Sequence, residues 1–137
     1  MENHDLLTAI SNFGIYFGIS LVLLIVFKFA YTLVTPHDEW KLIKEDQNTA
    51  AAIGFGGAII GFSLAVASAA THSVSIIDFA TWGGIALVAQ CLAFALIRFG
   101  FMPLIVQRIE NNEISAGVML GVMNVAIGIL NAACMSY

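Results

Sequence analysis

The chain has 137 residues, of which 60% are hydrophobic and only 10% are charged, and its net charge is −4. Soluble domains are nearer half apolar and a quarter charged, so this composition excludes an ordinary water-soluble protein, a disordered chain and a coiled coil. The charged residues are also clustered, and four long stretches contain no Asp, Glu, Lys or Arg: 6–27, 47–77, 79–97 and 114–137. Because a helix of about 20 residues crosses the hydrocarbon of a bilayer, the sequence predicts an all-α membrane protein with four transmembrane helices.

The four transmembrane helices are predicted near 12–34, 49–70, 77–100 and 115–136. The first is too long for the apolar part of a signal peptide and no basic segment precedes it, so we expect a retained helix. Ser75 followed three residues later by Asp78 has the form of a capping box, a common start signal of helices. This pattern predicts where the third helix begins.

A short helix at the membrane surface is predicted between the first and second transmembrane helices. Thr35, Pro36 and Asp38 form a second capping-box pattern. The residues that follow combine apolar and basic side chains: Trp40, Lys41, Leu42, Ile43 and Lys44. Such a mixture is typical of helices that lie at the bilayer interface, where Trp40 would reach headgroup depth. A solvated loop is the alternative interpretation.

The basic residues predict how the chain is oriented in the membrane. Each lies in one of two loops, 35–48 and 101–114, or within two helical turns of them: Lys28, Lys41, Lys44, Arg98 and Arg108. Because Lys and Arg concentrate on the cytoplasmic side of membrane proteins, we expect both loops to face the cytoplasm. Both termini are then expected to lie outside.

An internal repeat is predicted when the sequence is aligned with a shifted copy of itself. The shift that places Pro36 on Pro103 also aligns Lys41 with Arg108, Gly54 with Gly121, and Gly61 with Gly128, and we call this shift the repeat offset. Each unit is a helix, a basic loop and a helix rich in small residues. We therefore predict one membrane domain, 1–137, made of two parallel helical-hairpin repeats, 12–70 and 77–136, related by an axis along the membrane normal.

Glycines recur at helical spacing on the second helix of each predicted repeat: Gly54, Gly57, Gly61, Gly117, Gly121 and Gly128. This spacing lets helix backbones approach closely, which is a main source of helix attachment in lipid. Two interpretations remain open, helix packing within one chain and the interface of a homo-oligomer. Gly14 and Gly18 repeat the pattern weakly on the first helix, whose Leu23 is expected to face lipid.

Amide side chains occur inside the predicted third and fourth membrane helices: Gln90, Asn124 and Asn131. Gln90 and Asn124 are equally far from the outer ends of their helices, at a depth of roughly 18 Å by the rise of an α-helix. This equal depth predicts a hydrogen bond between the two residues, worth about 0.6 to 2 kcal/mol in lipid. The alternative interpretation is that the three amides line a path for a solute.

Catalytic and metal-binding patterns are missing from the sequence. The predicted centre of the bilayer holds no ionisable residue, which argues against coupled transport, and no catalytic triad or phosphate-binding loop is present. His37 and Glu39 could hold a metal loosely, but a solvated capping turn is the preferred interpretation. Cys91 and Cys134 fall in apolar stretches and are expected to be small buried hydrophobic residues. We expect no catalytic residue, metal site or cofactor.

Several short segments resemble a known family. TPHDEW and NTAA around the first loop, WGGIALV in the third helix and NAACM in the fourth are similar to the YjfL-type bacterial inner-membrane proteins. The resemblance covers essentially the whole chain. It implies four helices in the bacterial inner membrane and an envelope-associated role, and it carries over no catalytic residues because none are established for the family.

The leading functional expectation is a non-enzymatic membrane anchor or scaffold that lies in the lipid bilayer and binds a peripheral cytoplasmic protein. Its binding surface would be formed by residues of the two basic loops: Trp40, Lys41, Lys44 and Arg108. The alternative is a small oligomeric channel or passive transporter, in which Gln90, Asn124 and Asn131 would line the path. Because the sequence has no basic patch, no nucleic-acid partner is expected.

Overall fold

The computed structural model describes residues 3–34, 39–101 and 103–135. The helices follow in the order α1 Asn3–Val34, α2 Glu39–Lys44, α3 Thr49–His72, α4 Ile76–Leu96, a π-helix Ile97–Phe101, α5 Ile105–Glu110 and α6 Ile114–Ala133. Four of these are long and apolar enough to cross a membrane, which confirms the predicted all-α membrane fold. The capping box predicted at Thr35–Asp38, the His37 site and the side chain of Trp40 lie outside the described residues.

The first helix is longer than predicted. It begins at Asn3, whereas the sequence placed its start near residue 12. Leu6, Leu7 and Ile10 continue its apolar surface toward the N-terminus, and Asp5 lies in its first turn, where a negative charge stabilises the helix dipole. The charge at Asp5 therefore belongs to the helix and does not mark its boundary.

The predicted capping box at the start of α4 is confirmed. Ser75 Oγ accepts a hydrogen bond of 3.1 Å from the main-chain N–H of Asp78. The reciprocal bond is shifted by one residue, because Asp78 Oδ2 accepts from the N–H of Val74 at 3.0 Å. Together the two bonds satisfy main-chain donors that have no partner within the helix.

The end of α4 widens into a single π-helical segment before the chain turns into α5. Arg98 lies in this segment, with its Cζ 4.8 Å from the centroid of the Phe99 ring. The apolar span continues as far as Gly100, so the predicted end of the third transmembrane helix agrees with the structure.

Helix α3 lies at the centre of the bundle and α1 at its edge. In the most apolar window of α3, 56% of the residues are buried, against 11% in α1. Helices α3 and α6 run side by side in the same direction, α4 packs against both, and α1 packs mainly on α4 and α3. Tertiary contacts in lipid depend on such packing, since the hydrophobic effect does not drive one membrane helix against another.

An aromatic cluster lies between α1, α3 and α4, toward the C-terminal ends of α1 and α4. The rings of Phe27 and Phe62 stack with centroids 4.5 Å apart, and Tyr31 contacts both Phe55 and Phe94. All five side chains are buried. These rings attach the peripheral helix α1 to the rest of the bundle.

The expectation that Leu23 faces lipid is wrong. Its side chain is half-buried against α4, where a Cβ on Gly83 would lie 2.6 Å from Leu23 Cδ1. Gly83 has no side chain, and the space this leaves on α4 accepts the leucine. The pattern of apolar residues could not reveal this, because α1 is apolar on every face.

Candidate functional site

Six glycines lie between α3 and α6. A Cβ on Gly57, Gly61, Gly117, Gly121 or Gly128 would collide with the main chain of the facing helix, and one on Gly54 would collide with Leu120. The helices therefore touch backbone to backbone, and they do so within one chain. In contrast, a Cβ on Gly14 or Gly18 would meet no other described atom within 4 Å.

The contacts between α3 and α6 are reciprocal. Ala50 meets Gly117 and Gly61 meets Gly128, and the two members of each pair are separated by the repeat offset. A second set is crossed: Gly121 meets Ile53, and Gly54 meets Leu120. The repeat offset relates Ile53 to Leu120 and Gly54 to Gly121, so it converts one crossed pair into the other. A local two-fold axis parallel to the helices produces this pattern.

The first helices of the two hairpins do not follow this two-fold relation. Helix α4 packs over the contact between α3 and α6, whereas α1 packs beside α4 on the same side of the bundle. This asymmetry is not visible in the sequence, because the repeat offset compares residue types in the two hairpins and does not show where each helix packs.

Two buried amides lie where α4 crosses the α3–α6 contact. Gln90 and Asn124 are both 0% exposed, and Gln90 Nε2 donates to the main-chain oxygen of Asn124 at 3.0 Å. The structure therefore joins the two residues that the sequence paired by depth. It does so through the main chain of Asn124, whereas the sequence argument paired the two side-chain amides.

The side chain of Asn124 bonds elsewhere. Its Nδ2 donates to Tyr31 Oη and to the main-chain oxygen of Gly54, both at 3.2 Å. The side chain of Asn124 on α6 thus bonds to α1 and α3, and its main-chain oxygen bonds to Gln90 of α4. Tyr31 was missed by the sequence analysis, although a hydroxyl group inside an apolar helix needs a partner and was a usable signal.

The buried amides also hold two unpaired oxygens. Among the described residues, Gln90 Oε1 and Asn124 Oδ1 accept no hydrogen bond. An unpaired buried polar atom costs about 1 to 3 kcal/mol, so the helix contacts around these amides must offset that cost. A Cβ on Gly61 would lie 3.1 Å from Gln90 Nε2, which makes the glycine contact and the amide cluster one structural unit.

The third amide, Asn131, lies nearer the C-terminal end of α6 and is partly buried. Its Nδ2 donates to the main-chain oxygen of Ala86 on α4 at 3.1 Å. All three amides that were candidates for a solute path therefore form hydrogen bonds between helices of one chain. Amides do not titrate in the physiological range, so these three side chains do not change charge with pH.

The two basic loops meet at the end of the bundle opposite the turn between α3 and α4. Asn48 caps α3 by accepting from the N–H of Ala51 at 2.8 Å, and its Nδ2 donates to the main-chain oxygen of Ile109 at 2.8 Å. In return, Asn112 Oδ1 accepts from the N–H of Ala50 at 3.0 Å. We call this surface, formed by residues 41–48 and 105–113, the loop face.

The loop face has an apolar inner side and a charged outer side. Leu42, Ile43, Ile105 and Ile109 pack against the bundle. Lys41 and Lys44 are exposed, and Arg108 donates through Nε to Glu113 Oε2 at 3.1 Å. Helix α2 confirms the short helix predicted after the first span, and the structure brings Lys41 and Lys44 to the same face as Arg108.

Asn48 and Asn112 were not singled out in the sequence. Asn112 has a positive φ of 56°, as has Gln47 with 50°, a conformation that asparagine tolerates better than most residues. An asparagine just before an apolar helix is a recognisable N-cap signal. Their bonds across the two loops depend on tertiary structure and leave no pattern in the sequence.

The remaining candidate chemistry is sparse. Within residues 3–34, 39–101 and 103–135, no three His, Cys, Asp or Glu side chains are close enough to hold a metal ion. Cys91 is half-buried, but Cys134 is exposed at the end of α6, so the expectation of burial is wrong for Cys134. Helix α6 ends at the preceding residue, and no residue among those described covers the thiol.

Comparison with known proteins assigns the chain to a family. Residues 5–135 match the family described as Domain of Unknown Function (DUF350). The chain is 44% identical over 132 residues to proteins named UPF0719 inner membrane protein YjfL from Escherichia coli strain K12 and Escherichia coli O157:H7, an alignment that covers 96% of this chain and 98% of each relative. No solved structure matches significantly. With four helices able to span a bilayer and relatives in the inner membrane, this is a multi-pass inner-membrane protein that belongs to the DUF350 family.

Proposed function

We propose that the protein is a non-enzymatic scaffold of the bacterial inner membrane, which presents its loop face to a peripheral cytoplasmic protein in an envelope-associated role. The observation that carries the proposal is the pair of cross-loop hydrogen bonds made by Asn48 and Asn112. They join a loop of the first hairpin to a loop of the second, two segments that are far apart in the sequence.

These bonds favour a binding surface because they fix its shape before a partner arrives. A partner that docks on a fixed surface does not have to order it, which removes part of the entropic cost of binding. Lys41 and Lys44 project from this surface, while Leu42 and Ile43 attach it to the bundle. The predicted orientation, in which basic loops face the cytoplasm, would make the loop face available to cytoplasmic proteins.

The competing proposal, an oligomeric channel or passive transporter, has less support. A channel between subunits needs polar side chains on the outer surface of the bundle, yet Gln90 and Asn124 are fully buried inside it. The direct backbone contact of Gly61 with Gly128 also closes α3 and α6 against each other at the depth of the buried amides, which leaves little room there for a solute. The inward direction of the amides supports a structural role for them.

Site-specific photocrosslinking in intact cells tests the scaffold proposal. A photoreactive residue at Lys44 should give a discrete adduct with a cytoplasmic protein, whereas one at Ile77, which is 80% exposed at the opposite end of the bundle, should not. Asn48→Ala removes the hydrogen bond from Asn48 to Ile109 in the second loop, so it should reduce the Lys44 adduct. Asn131→Ala is the matched control, because it removes an amide-to-carbonyl bond far from the loop face.

Two results would contradict the scaffold. One is an adduct that forms equally well from Lys44 and Ile77, or that is unchanged by Asn48→Ala. The other is specific, saturable movement of a solute or ion into liposomes that contain the purified protein, if that movement is abolished by Asn124→Leu. The second result would favour the transporter.

A further inference from the structure

An open apolar groove runs along the bundle between α3 and α6, on the side turned away from α4. It is lined by residues of these two helices only: Ala52, Ile53, Gly56, Gly57, Ile60, Val118, Gly121, Val122 and Val125. Gly57 and Gly121 form its floor, because they also make the backbone contact between the two helices. The groove is thus the reverse side of an interface whose other side is covered by α4.

Under the local two-fold relation of α3 and α6, the groove corresponds to the surface on which α4 packs. On the covered side, Gln90 of α4 lies against Asn124. The repeat offset relates these two positions to Leu23 of α1 and Gly57 of α3, so a symmetric bundle would place an α1 helix in the groove. In this chain Leu23 packs on Gly83 of α4 instead, and the groove has no α1 helix of its own.

Helix α1 has the complementary property, a large exposed apolar surface. It is the least buried of the four membrane-spanning helices, and Val22, Ile25 and Phe29 on its outer side are more than half exposed. In a second copy with the same membrane orientation, α1 runs antiparallel to α3 and α6 of the first copy. This is the direction in which α4 lies on the covered side.

We propose that the outer face of α1 from a second copy of this chain fills the groove between α3 and α6. The contact joins two different surfaces, so each copy offers both a helix and a groove, and repeated association gives a closed ring or a row of molecules in the membrane. The close packing of an apolar helix on glycines is the kind of contact that holds membrane helices together. This inference goes beyond the scaffold role and does not depend on it.

The depth of the contact follows from the packing inside one chain. The ring of Phe27 stacks on that of Phe62, so residues of α1 near 27 lie at the same depth as residues of α3 near 62. Copies with a common orientation share this depth. Because α1 runs antiparallel to α3, two residues further along α1 correspond to two residues back along α3, and Phe29 of one copy is expected to lie near Ile60 of the next. Val88 on the outer face of α4 is the matched control, since Gln90, two residues on, packs beside Gly61.

Disulfide crosslinking between two differently tagged copies tests the proposal. In a background with Cys91→Ala and Cys134→Ala, one copy carries Phe29→Cys and the other Ile60→Cys. Oxidation of native membranes should give the disulfide-linked heterodimer. Replacing the Phe29→Cys copy by a Val88→Cys copy should give none, and neither cysteine alone should give a homodimer.

Filling the groove provides the second test. A Cβ on Gly56 would meet no other described atom within 4 Å, so Gly56→Leu fills the groove without disturbing the fold. It should abolish the heterodimer, whereas Gly84→Leu, at an equally open glycine on the outer face of α4, should leave it unchanged. Both variants should retain the thermal stability of the parent.

Three outcomes would overturn the proposal. Homodimers through Ile60→Cys alone would mean that two grooves face each other. A heterodimer that persists in Gly56→Leu would place the contact elsewhere. The absence of any crosslink in membranes, with both proteins present and folded, would mean that lipid covers the groove.

Discussion

The main chain of Gly61 lies directly against the main-chain carbonyl of Asn124, and the same carbonyl accepts the hydrogen bond from Gln90. The contact between α3 and α6 and the attachment of α4 therefore meet at one oxygen atom. A side chain at position 61 would disturb both. This relationship makes position 61 a sensitive probe of the whole bundle.

Gly61→Ala is expected to lower the free energy of unfolding by about 1 to 3 kcal/mol, the usual cost of overpacking a core. The added methyl group would collide with the carbonyl oxygen of Asn124 and crowd Gln90 Nε2. Gly56→Ala is the control, because position 56 is open and alanine favours a helix over glycine by roughly 1 kcal/mol. Reversible unfolding in mixed micelles measures both, and equal stability of the two variants would remove Gly61 from the interface.

The hydrogen bonds of the buried amides predict which pairs of residues are coupled. Asn124→Leu removes the bond to Tyr31 but keeps the main-chain oxygen that Gln90 uses. A double-mutant cycle of Asn124→Leu with Tyr31→Phe should therefore give a coupling of about 0.6 kcal/mol, the average for membrane hydrogen bonds. A cycle of Asn124→Leu with Gln90→Leu should be additive within about 0.5 kcal/mol. Strong coupling only in the second cycle would show that Gln90 bonds to the side chain of Asn124.

The depth of a residue could be predicted from the sequence, but its direction around the helix could not. Gln90 and Asn124 were paired correctly because each was counted along a helix from its end. The partner atom was missed because the membrane helices have almost uniform hydrophobicity, so no polar side marks the outside. The error at Leu23 has the same cause. In a soluble helix, the polar face would have resolved both.

Glycine spacing was informative where apolar spacing was not. Six of the seven glycines of α3 and α6 lie at one interface, because only glycine permits two backbones to touch, and the seventh, Gly56, is open. The same rule applied to Gly14 and Gly18 would have predicted an interface on α1 where the described residues form none. Which glycines are used depends on where the helices lie, and α1 does not occupy the position that the repeat offset suggests.

The orientation of the chain in the membrane can be measured with an impermeant thiol reagent on intact cells. Ser73→Cys, in the turn between α3 and α4, is expected to react from outside, whereas Lys44→Cys on the loop face is not, because basic loops stay in the cytoplasm. Cys134 must be replaced first, since its exposed thiol lies near the same end of the bundle as Ser73. Labelling at Lys44 but not at Ser73 would reverse the orientation and remove the cytoplasmic partner from the proposed function.

The last prediction separates the two roles of Asn48, the cap of α3 and the bond to the second loop. Asn48→Asp keeps an oxygen for the N–H of Ala51 but replaces the amide N–H groups that face the carbonyl of Ile109. An ionised carboxylate there is buried against a carbonyl oxygen, so we expect a loss of about 1 to 3 kcal/mol, as for other unpaired buried polar groups.

Ser75→Asp is the matched control, because Ser75 caps α4 in an exposed turn and no bond from its side chain to a second loop is involved. Aspartate is as good an N-cap as serine and its charge favours the helix dipole, so this variant should be neutral or slightly more stable. The difference between the two variants in a reversible unfolding experiment measures the contribution of the Asn48–Ile109 bond. If both aspartates were tolerated equally, Asn48 would act only as a helix cap, and the two loops would not be held together by its side chain.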